Sequence, residues 1–330
     1  MAKEIDVRTK IAILAAALLP LAVAVRMQAA EGSFDRTLQV TGQVEIEITT
    51  GAGHIDVRSG DSSTVRVHGT IKAGHDWNWD SASAEARVQQ LENNPPIDQS
   101  GNFIRIGRIE DPQLRRNISI SYELVVPRET RLRSTTGSGA ISVDGLKGPV
   151  RAQSGSGSLR VSNLGDELRA MTGSGDVRVE SVKGDVHLQT GSGSIEATGV
   201  AGSFTATTGS GRVKLEEVAE GRVEVETGSG GIEVRGVRGS LRAHTGSGGI
   251  SAQGEPSGEW TVHAGSGPID IRVPSGSGFD LYAQTSSGHI TVDPPMTVQG
   301  TIRRGELRGK VGGGGVAMDL RTGSGNIHVE

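Results

Sequence analysis

The chain of 330 residues has no cysteine, and only 3% of it is aromatic. Without cysteine there is neither a disulfide nor a lipid attached through a thiol, and any stability must come from packing and hydrogen bonding alone. A net charge of −4 leaves no basic field to recruit a nucleic acid. The phosphate-loop pattern GxxxxGK[ST] and the calcium-binding GGxGxD repeat are both missing, so no cofactor is expected. Long hydrophobic runs are also scarce. The longest, Ile11–Val25, follows Lys3, Arg8 and Lys10. It falls short of the roughly 20 apolar residues that span a bilayer comfortably and is nearer a signal-peptide core. Residues 1–30 therefore read as an export signal, with a retained membrane tether built on residues 11–25 as the alternative.

What the chain has in excess is glycine, 50 residues, about double the usual share. These glycines are periodic. A Thr-Gly-Ser-Gly signature begins its glycines at Gly137, Gly155, Gly173, Gly191, Gly209, Gly228, Gly246 and Gly265, with a variant at Ser286 and a last copy at Gly323. The intervals are 18, 18, 18, 18, 19, 18, 19 and 21 residues, then 37. A fixed period of this length marks a solenoid, in which each coil contacts only its neighbours.

Within one copy the apolar residues alternate: Val177 and Val179, then Val182, then Val186 and Leu188, matched by Ile195, Ala197, Val200, Phe204 and Ala206 in the next. Period-two alternation predicts half-buried strands. Each coil is thus two short strands, one corner at the Thr-Gly-Ser-Gly turn and a looser one near Gly184, Gly202 or Gly239. Glycine at the tight turn is expected to supply positive φ. Single-residue insertions must lie in corners, since a slip within a strand would turn its apolar face outward. A slim interior favours Val, Ile, Leu and Ala and leaves little room for Phe or Trp. Roughly ten coils at about 4.8 Å make a rod on the order of 45–50 Å. The fold class is all-β, a parallel β-solenoid, with a right-handed coil favoured by the general rule for parallel crossovers.

Residues 31–134 are read as a divergent coil and an N-terminal cap, and residues 135–330 as the regular solenoid. Val44, Ile46 and Ile48 precede a degenerate turn at Gly51-Ala52-Gly53; Asp80–Asn93 has helical spacing ending at Pro95-Pro96; strands are expected at Asn102–Ile109 and Asn117–Val126. Terminal solenoid units are atypical because they shield an open end. The doubled interval from Pro294 to Gly315 predicts one irregular further coil, with strands near Thr297–Ile302 and Val316–Leu320.

The TGSG-x-[IV]-x-[VA] coils, the segment PRETRLRSTTGSG at Pro127–Gly139 and the closing VGGGGVAMDLRTGSGNIHV at Val311–Val329 resemble the bacterial Toast-rack family of adhesin-like domains. The resemblance covers about Phe34–Glu330. It implies a repetitive β-solenoid in an exported or membrane-anchored envelope protein, some relatives being linked to envelope stress, and it supplies no catalytic residues.

Candidate chemistry is sparse. Glu226, His244 and His263 share one outward position in three successive coils and form a candidate metal ladder, the alternative being an ordinary polar column with Gln189, Thr207 and Gln284. His75–Asp80 gathers Trp77 and Trp79, read either as a sugar platform or as cap packing. The outward column Ser142, Arg160, Arg178, Glu196, Lys214, Glu233, Ser251 and Asp270 is of mixed charge and suits cross-strand pairing on a solvated face. Asn326, Ile327, His328, Val329 and Glu330 are expected to be an open docking edge at the end of the stack. The composition therefore points to a non-enzymatic, exported binding or scaffold surface whose partner is an envelope protein, a cell-surface component or another copy. The competing class, a polysaccharide-cleaving β-helix, would need clustered carboxylates and sugar-stacking aromatics over a groove, and regular tight corners offer few places for them.

Overall fold

The computed structural model describes residues 30–330, apart from 61–62, 75–80, 219–220 and 299–302. Residues 1–29 of the expected N-terminal leader or anchor and the Trp77/Trp79 cluster lie outside the described residues, as does part of the insertion at Glu217–Glu220.

Each regular coil is what the alternation predicts. In the coil made by Val186–Thr190 and Ile195–Val200, Val186, Leu188, Thr190, Ile195, Ala197 and Val200 are buried while His187 and Gln189 face solvent. Parallel pairing runs without slip from coil to coil, Val177 against Ile195 and Val186 against Phe204. Val177, Val179, Val186, Leu188, Ile195 and Ile232 all lie in the core. Among the described residues two long sheets, of fourteen and fifteen strands, enclose that core. Among the described residues twelve coils give one strand to each, and the remaining strands are antiparallel additions at the ends. At about 4.8 Å per coil the stack is on the order of 50 Å long. The interior holds more aromatic volume than expected: Phe204 and Trp260 are completely buried, and the Trp260 indole N–H donates to the Gly239 carbonyl at 3.0 Å.

The tight turn works differently from the expectation. Gly173 and Gly175 are not in the left-handed region. They are glycines because a Cβ would stand 2.3 Å from the Gly155 carbonyl oxygen and 2.1 Å from that of Gly157, one coil below. Left-handed backbone belongs to the other corner, at Gly145, Asn163, Ser181, Gly199 and Gly236, φ 55–78°. That residue puts two exposed positions in a row and returns the next side chain, such as Val182 or Val200, to the core.

Threonine closes the tight turn from inside. Thr172 Oγ1 donates to the Gly157 carbonyl of the preceding coil at 2.9 Å and accepts from Gly175 N at 3.2 Å. Thr190 does the same with Gly175 and Gly193, Thr208 with Gly193 and Gly211, and Thr227 with Gly211 and Gly230. Ser154 substitutes in the column, and Ala264 interrupts it.

At both ends the order of coils in the stack departs from their order in the chain. The first coil in sequence, Val44–Thr50 with Ile55–Gly60, is second from its end: the coil of Phe103–Ile106 and Ile118–Pro127 lies outside it, followed by antiparallel strands Thr64–Ala73, Glu31–Gln39 and Ile97–Ser100. Helix Ser81–Asn93 packs on this cap, close to its expected limits. A second, unexpected helical turn, Pro112–Arg115, starts at Asp111, whose side chain accepts from Gln113 N.

The C-terminal end mirrors this arrangement. Val316–Ser324 and Ile327–Val329 insert between the coil of Trp260–Ser266 and Ile269–Arg272 and that of Phe279–Ser287 and Ile290–Val292. The threonine column confirms the order, since Thr322 reaches Gly267 and Thr285 reaches Gly325, each at 2.9 Å. Residues 273–278 form a longer corner that steps over the inserted coil, which accounts for the 21-residue interval. Two expectations are corrected here. Pro294–Gly315 does not continue the stack as a coil; Met296–Val298 and Glu306–Val311 form an antiparallel flap over Phe279–Ser287. Nor are Asn326–Glu330 an open edge, because Ile327–Val329 is paired on both sides. The outermost strands at this end are the three-residue Ile290–Val292 and Met296–Val298.

Two outcomes follow. Thr190→Val keeps the volume but strands the Gly175 carbonyl and the Gly193 N–H, and should lower stability by about 1–3 kcal/mol; Ala264→Thr should restore the column and change stability in the opposite sense, both read by denaturant midpoint. Deleting residues 316–330 removes the inserted coil and should release the outermost coil and its flap, giving new limited-proteolysis cuts between residues 273 and 311 while the coils before Arg272 stay resistant.

Candidate functional site

Outward side chains of one position stack into columns at about 4.8 Å. On the sheet that carries Val186–Thr190, one column runs Arg105, Glu47, Arg133, Arg151, Arg169, His187, from strand to neighbouring strand in strict register. Arg105 is tied to Glu47 at 3.4 Å and Arg169 to Glu167 at 2.5 Å. Arg133 and Arg151, both exposed, make no ion pair among the described residues. Like charges directly opposite on adjacent strands cost a few tenths of a kcal/mol each. The next column, Thr135, Gln153, Met171 and Gln189, borders a groove of about 510 Å³, with Met171 42% exposed. Guanidinium groups beside amide and hydroxyl groups on a flat face can hold an extended anion through charge-assisted hydrogen bonds. The sequence reading missed this column, although Arg133, Arg151 and Arg169 recur at intervals of eighteen.

The opposite sheet carries the expected mixed column in register. Arg178 Nε donates to Glu196 at 3.1 Å, and this hydrogen bond holds the Glu196 carboxyl below its ordinary range. Arg235 bridges Glu233 at 2.5 Å and Glu216 at 3.6 Å. Beyond Arg178 this face is laced with ion pairs, while Arg160, in register beside Arg178, makes none among the described residues.

Glu226, His244 and His263 stack on adjacent strands as expected. They do not converge: among the described residues, Asp293, His328 and Glu330 are the group whose ligand atoms lie within 4.8 Å of one another. His263 is drawn toward Asp319, 3.5 Å away, which Arg321 also holds at 2.6 Å. His328 of the expected docking edge pairs with Asp293 at 3.2 Å, and Glu330 with Arg272. No helix among the described residues is long and apolar enough to cross a membrane.

Comparison with solved structures finds whole-length similarity at low identity. A crystal structure titled "putative adhesin", from Parabacteroides distasonis ATCC 8503, is 11% identical, with 91% of this chain and 97% of that one covered and a TM-score of 0.30. A "putative lipid binding protein" from the same organism is 13% identical over 89% and 96%, TM-score 0.33, and a "putative cell adhesion protein" from Clostridium sporogenes ATCC 15579 is 10% identical over 90% and 99%, TM-score 0.23. No curated protein matches. The family model described as Toastrack DUF4097 matches residues 26–330, and the chain belongs to that family.

Proposed function

We propose that the protein is a non-catalytic, exported binding surface of the cell envelope, and that its sheet face bearing Arg133, Arg151 and Arg169 holds an extended anionic polymer of that compartment. The observation that carries this reading is the in-register arginine column. A chain of net charge −4 places Arg133 and Arg151 one above the other without ion pairs among the described residues, between Glu47 and the Glu167-paired Arg169, so an anion across them would relieve their repulsion. Coil stacking fixes their spacing, so a polymer meets a preorganised row and little ordering cost is left at binding. Export rests on the charged, then apolar, N-terminal sequence, and the absence of catalysis on the lack of any clustered nucleophile, acid and base in the sequence.

The full chain should bind polygalacturonate at low ionic strength, weaken as salt is raised, and ignore neutral dextran of similar length. Arg133→Glu with Arg151→Glu should reduce polygalacturonate binding at least tenfold without moving the thermal midpoint by more than a few degrees. Equal binding of dextran, an unaffected double variant, or steady release of reducing ends from the polymer would overturn the reading.

A further inference from the structure

In a regular coil, a four-residue turn seals the corner between the two sheets, and a threonine hydroxyl satisfies the turn carbonyl beneath it. The outermost N-terminal coil lacks that seal. Its strands Phe103–Ile106 and Ile118–Pro127 are joined by residues 107–117, a loop containing the short helix, and Thr50 Oγ1 is diverted to the Ile120 carbonyl at 2.7 Å. The opened corner encloses a pocket of about 430 Å³, within the range of small-molecule sites.

The lining of this pocket differs from the rest of the core. Tyr122 is among the residues around the pocket and is fully buried, and its hydroxyl has no hydrogen-bond partner among the described residues. Burial pushes the ionisation of this phenol up from its ordinary value, so the group stays a neutral donor. A buried, unmatched hydroxyl costs about 1–3 kcal/mol unless something accepts from it. Gly107, at φ +87°, packs closely here: a Cβ there would stand 1.9 Å from the Thr49 carbonyl oxygen and 3.1 Å from the Tyr122 hydroxyl. Ile109 and Ile118 supply apolar wall, and Arg105, Arg108 and Arg115 line the same pocket. Against these three cations stand Glu47, paired with Arg105, and Glu110, 4.0 Å from Arg108. The lining itself, three arginines and Glu47, is net positive beside the isoleucine wall.

We infer that this corner is a binding site for a small monocarboxylate with an apolar body, its carboxylate accepting from the Tyr122 hydroxyl and facing the Arg108 and Arg115 guanidinium groups. Inorganic phosphate would leave the isoleucine wall unused. A neutral alcohol of the same length would leave the arginines without a counter-charge. The site shares Arg105 and Glu47 with the end of the arginine column but uses none of Arg133, Arg151 and Arg169, and it would stand if the polymer reading fell.

The test is calorimetric titration of the full chain with octanoate, 1-octanol and inorganic phosphate at neutral pH. Octanoate should bind one per chain, and the other two at least tenfold more weakly. Arg108→Ala with Arg115→Ala, both exposed side chains, should weaken octanoate binding at least tenfold. Tyr122→Phe should weaken it several-fold while the thermal midpoint without ligand stays level or rises, since the variant removes an unmatched buried hydroxyl; a merely structural tyrosine would instead lower the midpoint and leave affinity alone. No saturable octanoate binding, equal affinity for octanol or phosphate, or full affinity in the arginine double variant would overturn the inference.

Discussion

A buried hydroxyl, repeated in most coils, governs this structure. A stack of parallel strands bends sharply at every tight turn, and each bend leaves a backbone carbonyl and an N–H facing the dry interior. The buried threonine resolves both at once, donating down to the coil beneath and accepting from its own turn, as Thr190 does with Gly175 and Gly193. Because one end of the bridge lies in the neighbouring coil, it ties vertical spacing to turn geometry. The turn glycines follow from the same constraint: coils brought close enough for this bridge leave no room for a Cβ above the carbonyl below. Alternating apolar residues provide the bulk of the burial, but they would tolerate many registers. The hydroxyl column admits one.

The ends solve a different problem. A parallel stack terminates in strands with unpaired N–H and C=O groups, which invite another chain. Here the outermost coil at each end is laid down by an internal segment, and the first or last coil of the sequence is placed just inside it. Antiparallel strands then cover the outermost coils, and the strands left at the C-terminal limit are only three residues long. The open N-terminal corner follows from this design: a coil joined through an eleven-residue loop in place of a tight turn cannot be closed by the threonine bridge. The Tyr122 hydroxyl beside that corner is one of four buried side-chain polar atoms without a hydrogen-bond partner among the described residues, with Asp56 Oδ1, Ser134 Oγ and His263 Nε2.

Much of this was legible in the sequence. The period, the two strands per coil and the buried faces follow from alternation, because side chains on a strand have no third direction to point. The helix near Ser81–Asn93 was readable from spacing and its terminating prolines. Coil order was not, because Thr322 has the same local sequence whether it stacks on Gly267 or on some other turn. The 21-residue interval held a trace of it, as the extra residues of a corner that must step over one coil. The role of the turn glycines was misjudged for a related reason: positive φ is a property of one residue, whereas the contact that forbids a Cβ lies eighteen residues away. The arginine column was open to view at its offset of eighteen, and the chamber around Tyr122 was not, since its walls come from strands and loops brought together only by the swapped order.

The central claim is that the hydroxyl-bridged stack places the last coil of the sequence inside the rod. Residue-resolved hydrogen–deuterium exchange tests it most directly. With Ile327–Val329 paired on both sides, the amides of Ile327 and Val329 should exchange as slowly as those of Ile195 and Ala197 in mid-stack. Exchange as fast as that of the outermost Ile290–Val292 would show a free terminal edge and contradict the account.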